Sequence, residues 1–145
     1  MADPGLVVSD PKIANGKTIF RGIEMNTYFE ATFLDGGPDL LSGYGKLELN
    51  SITDNATGDG FAWGKLTLAP TNPEAKGGIW EISWHGNGYI DLSTGMSITP
   101  LKWLGHGKGG SINGMQFKCD DTIYMKGLLD WIGKDGQNNF IKVHK

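Results

Sequence analysis

Short stretches in which apolar and polar residues alternate recur along the chain, and clusters of glycine separate them. Trp80-Glu81-Ile82-Ser83-Trp84-His85 shows the pattern most plainly. A period of two is what a strand with one buried face requires, because successive side chains point to opposite sides of a sheet. Candidate strands read at Thr27–Phe33, Gly43–Leu49, Gly60–Leu68, Gly78–His85, Met96–Leu104, Asn113–Cys119, Thr122–Met125 and Asn139–Val143. The connections between them are mostly of hairpin length. Helical spacing is confined to Leu128, Leu129, Trp131 and Ile132, which predicts one or two helical turns. The expected fold is all-β: a single antiparallel, up-and-down barrel of about eight strands with at most one short helix, since closure removes the edges an open sandwich would expose. Residues 1–16 carry two prolines and a single apolar run, Leu6-Val7-Val8. They read as an extended arm that adds an edge strand, leaving residues 17–145 as the barrel domain.

The phase of each alternation assigns an interior. Phe29, Ala31 and Phe33, then Gly45, Leu47 and Leu49, then Leu66 and Leu68 point inward. So do Trp80, Ile82, Trp84, Leu101, Trp103, Met115, Phe117 and Cys119, and, toward the C-terminus, Ile123, Met125, Ile141 and Val143. Glu30, Lys46, Glu48, Glu81, Lys102, Lys118, Lys126 and Lys142 point outward. Phe61 and Trp63 are out of phase with Leu66 and Leu68, so a bulge is expected at Gly64, with Trp63 at the rim where the wall bends. Trp63, Trp84 and Trp103 recur at hairpin-length intervals and suggest repeated hairpins.

The composition agrees with many short strands in one domain. The chain has 145 residues, enough to bury roughly 68–70% of the unfolded surface in one core. Its 23 glycines are about twice average usage and fall in the gaps between strands. A net charge of -3, from 13 basic and 16 acidic residues without a basic stripe, argues against a nucleic-acid partner. Cys119 is the single cysteine, which leaves no internal disulfide and no thiolate zinc site within one chain. No apolar run approaches the roughly 18 residues of a spanning helix. The chain reads as soluble with its compartment open, an exported protein whose signal peptide has been removed being one reading; a homo-oligomer is compatible with it.

Few residues suggest chemistry. Gly105, Gly107 and Gly110 meet the spacing of a dinucleotide-binding loop, but the residues after them read as a strand where that site needs a helix, so a glycine-rich hairpin is expected. His85 and His106 stand at strand ends, where hairpin loops would gather them with Asp91, Asp120 and Asp121 into an acid–base pair or a metal site. The adjacent Asp120 and Asp121 are explained by a turn. Glu81, Ser83 and His85 share a strand face, which does not produce triad geometry by itself. Trp63, Tyr89, Tyr124 and Trp131 would make a sugar-binding face if they stood outward in a row.

With Trp63-Gly64-Lys65, the segment from Ile79 to Gly86 and the glycines of 105–110 in view, residues 25–127 resemble uncharacterised bacterial β-barrel proteins whose layout is similar to allene oxide cyclase-like and calycin barrels. The resemblance implies a hydrophobic lumen that holds an apolar ligand or shapes a substrate for cyclisation without a cofactor, and it carries over no catalytic residue. The expected function is binding of a hydrophobic or aromatic small molecule by Phe29, Phe33, Trp63, Trp80, Trp84, Trp103, Met115 and Phe117. The alternatives are a cofactor-independent lyase, isomerase or cyclase working through His85, His106, Asp120 or Glu30 at the mouth or lumen, and a structural or interaction domain with a solid core. No metal and no cofactor is expected in any of the three.

Overall fold

Backbone pairing follows the order of the chain. In the computed structural model, which describes residues 12–30, 38–126, 131–132 and 142–144, each long strand is antiparallel to the next. A short edge strand, β1 (Lys12–Ala14), pairs with β2 (Lys17–Phe29), followed by β3 (Gly43–Asp54), β4 (Asp59–Pro70), β5 (Ile79–Asp91), β6 (Met96–Lys108) and β7 (Gln116–Lys126). Two short strands, β8 (Trp131–Ile132) and β9 (Lys142–His144), pair with separate halves of the free edge of β7. Apart from two single 3-10 turns, Pro73–Ala75 and Gly110–Ile112, the described residues contain no helix. The fold is therefore all-β and up-and-down. Among the described residues no ladder joins the two outer edges, so the barrel is not closed by hydrogen bonds. The sheet nevertheless curls far enough for its inner faces to meet, since Phe29 on β2 lies edge-on to Trp103 on β6 with ring centroids 6.3 Å apart.

The strands are longer than alternation alone suggested, and the irregularities fall elsewhere. β2 begins at Lys17, ten residues before the expected start, while Ala31 and Phe33 lie outside the described residues. Between Phe20 and Ile23 its register slips, so that Arg21 and Gly22 together oppose Asn50. Gly22 takes φ +63°, a conformation that glycine adopts without a Cβ clash, and its N–H donates to Asn50 Oδ1 at 2.9 Å. The bulge reverses phase, which lets both Phe20 and Ile23 face inward.

No bulge exists at Gly64, because β3 and β4 stay in register from Gly43 opposite Pro70 to Thr53 opposite Gly60. Phe61 and Trp63 simply occupy the outer face. Asp120 and Asp121 form no turn either. They lie within β7 opposite Lys102 and Leu101, and the two expected strands around them are one. Trp131 and Ile132, expected to be helical, are in strand β8, and Leu128 and Leu129 lie outside the described residues.

One end of the curled sheet is packed solid. Trp80 and Ile112 are fully buried there, with Leu41, Leu66, Leu68, Ala75 and Phe117 around them. The indole N–H of Trp80 donates to the Leu40 carbonyl at 2.8 Å, and Phe117 meets Trp80 edge-on at 5.1 Å. The two 3-10 turns cap this end, joined by the Ser111 hydroxyl donating to the Glu74 carbonyl. Gly105 and Gly107, which had the spacing of a nucleotide loop, are inward residues of β6. A side chain at Gly105 would strike the Phe117 ring and one at Gly107 the carbonyl of Ile112, so packing explains these glycines.

Candidate functional site

The other end of the sheet is open, and the cause is visible strand by strand. Toward the closed end the inward positions carry Leu47, Leu66, Leu68, Trp80, Ile82 and Trp103. Continuing in the same phase toward the hairpin tips, β3 presents Ser51 and Thr53, β4 presents Ala62 and Gly60, and β5 presents Gly86 and Gly88. These positions are in register, Ser51 with Ala62 and Gly86, Thr53 with Gly60 and Gly88. A tier of small residues cannot fill the space that tryptophan and leucine fill one turn of the wall further down.

The result is a cavity of about 300 Å³, at the small end of the usual range for ligand pockets. Its floor is formed by Trp84 and Trp103, whose rings lie 5.7 Å apart, with Leu49 and Leu101 beside them and Phe20 contributed by β2 above the bulge. The hydroxyl residues Ser51, Thr53, Ser97 and Thr99 line its upper wall, and Phe61 and Tyr89 border it. Among the described residues, none that lines it is a carboxylate, a lysine, an arginine or a histidine.

The tips around the mouth are tied down locally. Asp54 accepts from the amides of Ala56 and Thr57, at 2.9 and 3.2 Å, and Asp91 accepts from the amide and hydroxyl of Ser93, at 2.9 and 2.6 Å. These hydrogen bonds favour the ionised carboxylates, so both pKa values lie below the ordinary 3.8. The Asn55 amide donates to the Gly16 carbonyl at 2.9 Å, linking the β1–β2 turn to the β3–β4 tip.

Among the described residues, one buried side-chain polar atom is unsatisfied. Trp84 is 4% exposed, and its Nε1–H has no hydrogen-bond partner, whereas that of Trp80 does. A buried donor left without an acceptor costs about 1–3 kcal/mol. Trp84 is also the tryptophan on the cavity floor.

The structure brings together only part of the expected ligand set. Trp84 and Trp103 line the cavity; Trp80 and Phe117 are buried in the solid end, and Met115 packs against the core without reaching the cavity. Phe29 packs on Trp103 from the far side of the curl, and Phe33 lies outside the described residues. Trp63 stands on the outer face, stacked on Phe61 at 5.4 Å, with the Arg21 guanidinium 5.2 Å from its ring centroid.

The four residues considered for catalysis, His85, His106, Asp120 and Glu30, are all exposed. His85 is opposite Trp63 and Lys102, and His106 is opposite Glu81 and Gln116, so neither reaches the lumen. Among the described residues no three His, Cys, Asp or Glu side chains are grouped to hold a metal ion. Sequence reasoning missed Phe20, Ser51, Thr53, Ala62, Ser97 and Thr99. The available signal was the change from large to small residues along one phase of each strand. No protein family, curated protein or solved structure matches the chain.

Proposed function

We propose that this protein binds a small apolar or aromatic molecule in the cavity above Trp84 and Trp103. The observation that carries the reading is the mismatch between the two ends of one sheet. One end is packed solid, while the other keeps about 300 Å³ lined mainly by apolar and aromatic side chains and small hydroxyl residues. Natural interiors seldom leave space of this size without use, because each unfilled volume forfeits dispersion contacts. The hollow-barrel and solid-core expectations thus apply to different halves of the same wall. The resemblance to calycin-type barrels implies the same use. Turnover is the less favoured reading, since His85, His106, Asp120 and Glu30 all lie outside the lumen.

Titration of the ¹⁵N-labelled protein with toluene tests this. Saturable shifts at the amides of Phe20, Leu49, Ala62 and Leu101, absent in a folded Ala62→Phe variant that fills the space, are the expected result. Linear, unsaturated shifts scattered over the surface would overturn the proposal.

A further inference from the structure

The chemistry of the cavity restricts its occupant beyond being apolar. Resting on the binding role proposed above, we propose that the ligand is a neutral molecule carrying one hydrogen-bond acceptor, a carbonyl or ether oxygen, which takes the Nε1–H of Trp84. The indole that lines the floor is more than nine-tenths buried and donates to no protein atom. Trp80, four residues before Trp84 on the same face of β5, shows the alternative, since its equivalent N–H is paired with the Leu40 carbonyl. An acceptor on the ligand satisfies this unpaired donor, whereas a hydrocarbon of the same shape leaves it buried and unmet.

Charge selects further. Among the described residues no cationic side chain lines the cavity, so a carboxylate or phosphate would lose its hydration without a counter-ion from them, and none of them supplies a carboxylate to receive an amine. The hydroxyl residues Ser51, Thr53, Ser97 and Thr99 sit toward the mouth, where they tolerate a second neutral polar group or water. With about 300 Å³ available, the body of the ligand is one small ring system or a short chain.

Three probes of nearly the same shape separate these requirements. Acetophenone offers a neutral carbonyl, α-methylstyrene replaces its oxygen by a methylene group, and benzoate replaces the methyl ketone by a carboxylate. The expected result is that acetophenone binds about tenfold tighter than α-methylstyrene, that benzoate binds weaker than both, and that the preference for the ketone disappears in Trp84→Phe. In the wild type, the Trp84 indole N–H resonance should move downfield with acetophenone and not with α-methylstyrene, which gives a readout independent of how well the variant folds. Equal affinity for ketone and hydrocarbon with an unmoved indole resonance, as a water molecule on Nε1 would produce, overturns this inference and leaves the binding role standing. Failure of all three probes, together with toluene, to give a saturable site removes the binding role and this inference with it.

Discussion

Gly64 and Trp84 are cross-strand partners on the inner face, and a Cβ placed on Gly64 would stand 2.7 Å from Cζ2 of the Trp84 indole while also striking the Glu48 carbonyl. The tryptophan lies over a glycine because nothing larger fits beneath it, and this fixes where the floor of the cavity stands. Gly64→Ala should therefore destabilise by about 1–3 kcal/mol, the usual cost of overpacking, and alter the near-ultraviolet circular dichroism of the tryptophans. Denaturant unfolding measures the first effect; an unchanged midpoint would contradict the close packing of this pair.

The two buried tryptophans of β5 should respond differently to the same substitution. Trp80→Phe removes an indole from a filled site and leaves the Leu40 carbonyl without its donor, for a loss of about 2–4 kcal/mol. Trp84→Phe removes an unpaired donor beside existing empty space, so its loss should be smaller by about 1 kcal/mol or more. Parallel urea titrations of the two variants decide the order, and equal losses would argue against an unsatisfied Trp84.

The bulge on β2 sets the far wall of the cavity. Asn50→Ala deprives the Gly22 amide of its acceptor at a half-buried position, which should cost about 1–2 kcal/mol. Because the phase reversal at Arg21 and Gly22 is what turns Phe20 inward, toluene affinity should fall as well. Asn50→Asp keeps an acceptor for Gly22 but replaces the Nδ2 donor to Glu48 Oε1 and to the Trp63 carbonyl, each at 3.4 Å, by a second oxygen, so it should recover little of either loss at neutral pH.

Ligand affinity should be flat between about pH 5 and 8, since no described residue lining the cavity carries a group that titrates there, and His85→Ala and His106→Ala should leave it unchanged. Stability behaves differently in acid. Burial raises the Asp39 pKa, but the hydrogen bonds from Ser42 and Leu41 outweigh it, and the net pKa lies below 3.8, as for Asp54 and Asp91. A carboxylate whose folded pKa is depressed contributes stability that is fully present above the unfolded value and is lost as pH falls through the folded one. Thermal midpoints should hold from neutrality to about pH 5 and decline below about pH 4. A decline centred on histidine titration would contradict this assignment.

Alternation with period two determined the class of fold and most of the interior, because the pleat ties side-chain direction to position irrespective of partners. Trp80, Ile82, Trp84, Leu101, Trp103 and Phe117 are inward on that ground alone. The same rule put Glu81, Lys102 and His85 outside. Phase could not locate the interruption in register, since Gly64 and Gly22 are both isolated glycines in apolar strands and only pairing with β3 shows which of them is bulged. Nor could it divide inward residues between a solid end and a cavity. Trp80 and Trp84 are equivalent in sequence, yet one is enclosed by Leu40, Phe117 and the 3-10 turns while the other faces a tier of Ser51, Ala62, Gly86 and Gly88. The volume left above Trp84 is a sum over five strands, and such a sum exists only after register and curl have brought those strands face to face.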